Sequence, residues 1–297
     1  MDRSTTGCWT CGAEGLVEVK PSNIQADLEP SHFAISDFHY GTTATIYRCP
    51  QCGFLQCSNL QETVSFYQDL VDPDYETGRA QRQQLARTTL LSLQKVLGAP
   101  LERRRLLDVG AGSGILLEEA LALSMQAEGV EPSTWLCEQG AKKGLPLHNG
   151  VLPHPDLQGT FDLVTLMDVI EHVSEPLELL RQSAEHLSDS GLIAVATPDV
   201  HALAARLMGW RWWHYRVAHI GYFNKKTITL LFERAGLEVV TIMRPGWVFP
   251  ARYLITRIQS YFPWSWRYHP GPWADRLNIP FNLFDSLLVV GRKRPVE

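Results

Sequence analysis

The chain has 297 residues, of which 45% are apolar and 20% charged, proportions that exclude a disordered or fibrous protein. A formal net charge of −5 supplies no general attraction for nucleic acid, so DNA is not expected as a partner. The opening MDRSTTGCWTCG lacks the apolar core of a secretory leader, and no run approaches the roughly 20 apolar residues of a membrane span.

A cytoplasmic setting is therefore expected, where cysteines read as metal ligands or free thiols before disulfides. Five of the six cysteines lie in residues 1–60. CWTCG and CPQCG form two C-x2-C pairs separated by 37 residues, each followed by glycine. Such knuckles wrap thiolates around a tetrahedral ion, so Cys8, Cys11, Cys49 and Cys52 are expected to hold a structural zinc with no open position. Cys57 reads as a spare thiol and Cys137 as a small buried apolar residue. The only bases in this stretch are Arg3, Lys20 and Arg48, which disfavours RNA as its partner.

Residues 61–103 read as a helical linker or cap ending in RAQRQQLARTTLLSLQKVLGA. Tyr67, Tyr75 and Arg79 stand just before or at its start. From residue 104, apolar strands (RRLLDVG, QAEGVEP, PLHNGV, FDLVTLMDV, GLIAVATP, LEVVTIMRP) alternate with amphipathic helical stretches. That alternation predicts an α/β fold whose mostly parallel sheet is covered on both faces, with ligands beyond the carboxyl ends of the strands.

LLDVGAGSGI places Gly110, Gly112 and Gly114 between a strand and a helix start, where backbone can approach a ligand and amides favour negative groups. GVEPS ends the next strand in Glu131, about 20 residues on, placed to accept both hydroxyls of a ribose. The fourth strand ends in MDVIEHV, collecting Asp168, Glu171 and His172. After the fifth strand, His219 and Phe223 form H-x-x-x-F. His219 reads either as a general base or as a histidine tying loop to helix.

Seven of the nine tryptophans fall at or after Trp210: Trp210, Trp212, Trp213, Trp247, Trp264, Trp266 and Trp273. They accompany arginines such as Arg206, Arg211, Arg216 and Arg267. The combination suits a cavity for an apolar or sugar-bearing substrate, or a surface resting on lipid headgroups. Residues 246–283 read as an aromatic, lid-like insertion. In it Leu254, Ile258, Tyr261 and Phe262 line one face of a helix opposite Arg252, Thr256 and Gln259.

The series LLDVGAGSG, GVEPS, FDLVTLMDVIEHV and GLIAVATP resembles the motif series of class I S-adenosylmethionine-dependent methyltransferases, in order and spacing. The resemblance covers about residues 104–245 plus the final strand FDSLLVVGRK. It implies a Rossmann-like seven-stranded sheet with that last strand antiparallel, in a methyltransferase domain over 104–297. It also implies roles. Asp108 and the loop of Gly110, Ala111, Gly112 and Gly114 would hold the methionine part of the cofactor. Glu131, followed by Pro132, would take the ribose hydroxyls, and Gly150 and Val151 would flank the adenine. Asn149 or Asp156 would have to supply the contact to the adenine amino group. Met167 and Asp168 would face the cofactor. Tyr75 and Arg79 would close over its carboxylate or over the substrate, unless they simply pack the linker helix.

MDVIEHV is also similar to the acid-x-x-Glu-His of ubiquinone-pathway O-methyltransferases, which implies that Asp168, Glu171 and His172 hold a magnesium ion; the alternative is that Glu171 and His172 merely fix the turn. A zinc ribbon before such a domain resembles sugar and small-molecule methyltransferases on one side and ribosomal RNA guanine methyltransferases on the other. The acidic balance favours the first. The expected activity is methyl transfer, at oxygen, to a small or lipid-linked acceptor: a glycan, a natural product or a quinone-like phenol. The competing expectations are an RNA methyltransferase guided by the ribbon, or a non-catalytic cofactor-binding protein. A lipid-linked acceptor would place the chain at the inner face of the membrane.

Overall fold

The structure, a computed structural model, describes residues 7–35, 40–60, 63–260 and 268–294. Of the residues singled out above, Arg3, Tyr261, Phe262, Trp264, Trp266 and Arg267 lie outside those described.

Strands β1 (Val17–Lys20), β2 (Ile46–Arg48) and β3 (Leu55–Gln56) make a short antiparallel ribbon. Helices α1 (Val64–Gln68), α2 (Pro73–Thr77) and α3 (Arg79–Leu97) follow. Pro73 at the first turn and the Asp72 carboxylate accepting from the Tyr75 N–H start α2. Gly98, in the left-handed region, stops α3.

The main sheet then builds through β4 (Arg105–Val109), α4 (Ile115–Ala122), β5 (Gln126–Glu131), α5 (Thr134–Ala141), β6 (Leu147–Asn149), β7 (Phe161–Met167), α6 (Pro176–Glu185) and β8 (Leu187–Pro198). After β8 come α7 (Leu203–Met208), β9 (Gly221–Tyr222), α8 (Lys225–Arg234) and β10 (Leu237–Met243). The insertion is a hairpin of β11 (Trp247–Pro250) and β12 (Asn278–Phe281) enclosing α9 (Ala251–Ser260) and α10 (Trp273–Arg276). On α9 Leu254 is half-buried, but Ile258, on the same expected apolar stripe, is 60% exposed. β13 (Ser286–Lys293) ends the fold.

The seven strands run in the order β10-β13-β8-β7-β4-β5-β6. β6, β5, β4, β7 and β8 are parallel, and β13 lies antiparallel between β8 and β10. The expected α/β sheet and its antiparallel last strand are both present. Helices cover both faces, which is why the central stretches of β4 (Leu106 and Leu107), β7 (Leu163, Val164 and Leu166) and β8 (Leu192 to Val195) are apolar and buried.

The ribbon does not stand apart. β3 pairs antiparallel with β9, so the small sheet has the order β1-β2-β3-β9. Cys8, Cys49, Cys52 and Phe54 are buried in one apolar cluster with Val109, Leu166, Ile170 and Phe223 of the main fold.

Candidate functional site

Beyond Asp108 the chain turns through Gly110, Gly112 and Gly114 at φ 72°, 57° and 76°, the left-handed region open to glycine. Space is equally restrictive. A Cβ on Gly110 would lie 2.5 Å from a Val169 methyl, and one on Gly112 would lie 2.6 Å from the Tyr75 hydroxyl. The N–H groups of Gly110 and Ala111 donate to the Val130 carbonyl at 2.9 and 3.0 Å, binding the loop to the end of β5.

Glu131 completes that brace. One carboxylate oxygen accepts from the Gly112 N–H at 2.8 Å, and the other from the Ser133 N–H at 2.9 Å. Asp108 accepts from the Thr165 hydroxyl at 2.6 Å. Burial pushes both carboxyls up to about 7, against the pull of these hydrogen bonds. Two buried acids poised near neutrality suit a ligand that brings positive charge and hydroxyl donors. Thr165 was not anticipated. Its signal was a hydroxyl inside an otherwise apolar strand, in register with Asp108.

α2 and the start of α3 close over this loop. The Tyr75 hydroxyl lies against Gly112, and the Arg82 guanidinium sits 4.3 Å over the Tyr75 ring. Arg79 donates to the Ser113 hydroxyl at 2.9 Å and pairs with Glu76 and Glu118. Its charge is thus taken up by the loop's own neighbours. Arg82, which sequence reasoning passed over, acts toward the cleft: burial raises the Asp168 carboxyl and Arg82 draws it back down. Its spacing of three from Arg79 on a helix was the available signal.

At the far rim the Gly150 N–H donates to the Glu131 carbonyl at 2.9 Å, and Val151 is 46% exposed. The Asn149 amide donates to the carbonyls of Glu131 and Pro132 at 3.1 and 3.0 Å, so it holds the corner after β5. Asp156 is exposed beside His154.

β7 hands over to the site's most unusual turn. Met167 is half-buried, and Asp168, at φ 55°, swings the chain out of the strand. A short 3-10 turn, Ile170–His172, follows. Glu171 is 1% exposed. Its Oε2 accepts from the Thr197 hydroxyl at 3.0 Å, while its Oε1 is buried with no hydrogen-bond partner among the described residues. Burial, with the Asp168 charge nearby, holds this carboxyl well above the ordinary glutamate value.

The His172 Nδ1 lies 2.6 Å from the Tyr67 hydroxyl and 2.8 Å from the Ala218 carbonyl. The His219 ring meets His172 edge-on at 4.8 Å between centroids and stacks on His214 at 5.5 Å. Burial, with the Arg216 charge beside them, pushes His172 down to about 4 and His214 to about 3. Burial and His172 hold His219 well below the usual imidazole value. All three rings are neutral at physiological pH.

One potential ligand atom each from Glu171, His172 and His219 lies within 4.8 Å of the others. The magnesium expectation grouped Asp168 with Glu171 and His172. The structure brings His219 in and leaves Asp168 outside the group. One carboxylate and two imidazoles, with Arg216 close by, are not the oxygen-rich set that magnesium takes. The residues present do not fit that ion.

The four-cysteine expectation finds its geometry. Cys8 and Cys52 sulfurs are 3.5 Å apart, as are Cys11 and Cys49, and all four lie within 4.8 Å of one another. A tetrahedron with Zn–S bonds of about 2.3 Å has edges of about 3.8 Å. The two knuckles repeat one geometry. The N–H of Gly12 or Gly53 donates to the carbonyl of Cys8 or Cys49 at 2.7 and 3.0 Å, with φ of 79° and 83°. The cluster is compatible with zinc. Cys57 and Cys137 are buried thiols outside it.

A glycine loop, an acid ending the neighbouring strand, and an acid–imidazole turn at the carboxyl edge of this seven-stranded sheet define an S-adenosylmethionine-dependent methyltransferase domain. A family model described as a methyltransferase domain matches residues 79–242, more than half of the 297-residue chain, and the chain belongs to that family. A ubiquinone biosynthesis O-methyltransferase of Caulobacter sp. strain K31 is 37% identical over 120 residues, 37% of this chain and 48% of that one. The mitochondrial ubiquinone biosynthesis O-methyltransferase of Schizosaccharomyces pombe is 33% identical over 114 residues, 35% of this chain and 41% of that one. The chain thus spans about half the length, or less, of these relatives. Among solved structures, the complex between the Haloferax volcanii Trm112 methyltransferase activator and a putative methyltransferase matches with TM-score 0.53 at 17% identity. That match covers 80% of this chain and 99% of the other and shows likeness of fold.

Proposed function

We propose that this chain transfers a methyl group from S-adenosylmethionine to a hydroxyl of a small phenol-like acceptor, which a lipid surface delivers. The observation that carries the reading is the buried Glu171–His172–His219 cluster, set beside the turn where Asp168 leaves β7. The relatives named as ubiquinone biosynthesis O-methyltransferases support the same chemistry.

The cofactor's sulfonium supplies an activated methyl group. The chain must align the acceptor, exclude water and accept a proton. Asp108, the loop of Gly110, Ala111, Gly112 and Gly114, and Glu131 hold the methionine and ribose parts. Gly150 and Val151 flank the adenine, and Tyr75 with Arg82 closes the cap. The hydroxyl proton passes into the acid–imidazole cluster. Desolvation raises the proton affinity of Glu171 while lowering that of the two histidines, which favours Glu171 as the proton acceptor, with His219 and His172 orienting the exchange. The four cysteines hold a structural zinc.

The acceptor's delivery is read from the surface. Leu203 and Leu207 are 68% and 78% exposed one turn apart on α7, followed by half-exposed Trp210 and flanked by exposed Arg206 and Arg211. Among the described residues no helix is long and apolar enough to cross a membrane.

The test uses purified protein, labelled S-adenosylmethionine and a prenylated catechol. A methyl ether detected by mass spectrometry is the expected product. Label appearing only on RNA, or none appearing while S-adenosylhomocysteine binds, would refute the reading.

A further inference from the structure

The ribbon's contacts end at the catalytic turn. The Cys57 N–H donates to the Ile220 carbonyl at 2.8 Å, and the Ile220 N–H donates to the Glu171 carbonyl at 2.9 Å. In register beside this link, Leu55 faces Tyr222 and Gln56 faces Gly221. The segment that leaves the ribbon grips the same turn from a second side. The Thr63 hydroxyl donates to the His172 carbonyl at 2.9 Å, and the Tyr67 hydroxyl meets the His172 ring.

Packing follows the hydrogen bonds. Phe54, fully buried two residues after Cys52, meets Phe223 with ring centroids 4.8 Å apart. Gly221 is squeezed between: a Cβ there would lie 3.3 Å from the Phe54 ring and 3.8 Å from the Glu171 Cα. Gln56 connects the first knuckle to β3. Its side-chain oxygen accepts from the Trp9 N–H at 2.9 Å, between Cys8 and Cys11. Arg234, at the end of α8, donates to the Thr10 carbonyl in the same knuckle at 2.8 Å. β3 is only two residues long, too short to hold its place without the closed knuckles.

We propose that the cysteine ribbon is a positioning element of the acceptor site: four ligated sulfurs fix β3, β3 fixes β9, and β9 fixes the turn of Glu171 and His172 together with His219. The cofactor half of the site, on β4, β5 and the cap of α3, lies outside this hydrogen-bonded chain and meets the ribbon through apolar packing at Val109 and Val130. Metal occupancy of the ribbon then controls acceptor geometry while cofactor binding continues. This inference rests on reading the four cysteines as a zinc site.

Hydrogen exchange of the full chain, with metal and after chelation, tests it. The expected result is exchange about tenfold faster at the Cys57 and Ile220 amides, with β4 and β5 amides unchanged. Calorimetry with S-adenosylhomocysteine should give an affinity within about twofold of the metal-loaded protein. Gln56→Leu keeps every cysteine and should retain zinc while speeding exchange at the same two amides. Unchanged protection at Cys57 and Ile220 would overturn the proposal. So would a parallel loss of protection in β4 and β5 with loss of cofactor affinity, because the ribbon would then be a general folding support. Neither measurement uses an acceptor, so a failed search for the methyl acceptor leaves this test intact.

Discussion

The Thr165 hydroxyl donates to the Asp108 carboxylate across 2.6 Å, between adjacent parallel strands in which the two residues face each other. Asp108 is 3% exposed, and this bond resists the pull of burial toward protonation. Thr165→Val keeps the shape and deletes the donor, which should raise the Asp108 pKa above about 7. The cost belongs to the ionised form. Urea unfolding should therefore show a loss of about 1.5–3 kcal/mol at pH 8.5 and little at pH 5.5. Equal losses at both pH values would show that the bond does not act through ionisation.

Glu131 and Asp108 together set a pH dependence for the free protein and for cofactor binding. Their folded pKa values, both about 7, lie above the ordinary 4.5 and 3.8. A carboxyl raised in this way contributes stability that is full below its unfolded pKa and is lost as pH rises through its folded pKa. The free protein should lose stability between about pH 4 and pH 7 from these two groups. With the cofactor contacts proposed above, binding should run the other way, since ionised acids would accept its hydroxyls and face its positive charge. Calorimetry should show tighter S-adenosylmethionine binding at pH 8 than at pH 6, with protons released on binding near pH 7. Proton uptake would contradict this assignment.

The proton-accepting cluster makes a separable prediction. Glu171→Gln keeps the hydrogen-bonding shape around Thr197 but removes the proposed proton acceptor. It should lower kcat for the catechol acceptor by about 10²–10⁴-fold with cofactor affinity unchanged. His219→Asn should lower kcat by a smaller factor, because a neutral imidazole orients the exchange without holding the proton. A larger effect at His219 than at Glu171 would assign the base to the imidazole.

Much of this architecture was readable before any coordinates. The glycine loop, Glu131 and the alternation of strands and helices announce themselves because backbone turns and parallel strands demand narrow residue choices. The two C-x2-C pairs were equally plain. Three-dimensional groupings were not. His219 lies 47 positions after His172 in the chain numbering, and only the β9 excursion brings the rings to 4.8 Å. Glu171 and Asp168 looked like partners from their spacing of three. The left-handed turn at Asp168 instead leaves it outside the group that buried Glu171 forms with His172 and His219. Arg79 was singled out for its place before the glycine loop, and the ion pairs with Glu76 and Glu118 that occupy it depend on where α4 packs.

The exposed ridge on α7 carries the last prediction. Leu203 and Leu207 lie on the solvent side of a helix whose Ala205 is buried, so replacing them removes apolar surface without opening the core. Each leucine buried in a bilayer interface would add up to about 1.5–3 kcal/mol, and Arg206 and Arg211 would each gain about 1 kcal/mol near anionic headgroups. Against a net charge of −5, this local pair of bases has a partner of opposite sign in such a surface. Vesicles containing phosphatidylglycerol should co-sediment with the protein, and the double change Leu203→Glu with Leu207→Glu should weaken that binding by at least about tenfold. The change should shift urea stability by no more than about 0.5 kcal/mol per site, because the residues are exposed. Methylation of a short-chain catechol should be unaffected, while that of a long-chain prenylated catechol presented in vesicles should fall. Binding that survives the double change would move the lipid-facing surface elsewhere on the molecule.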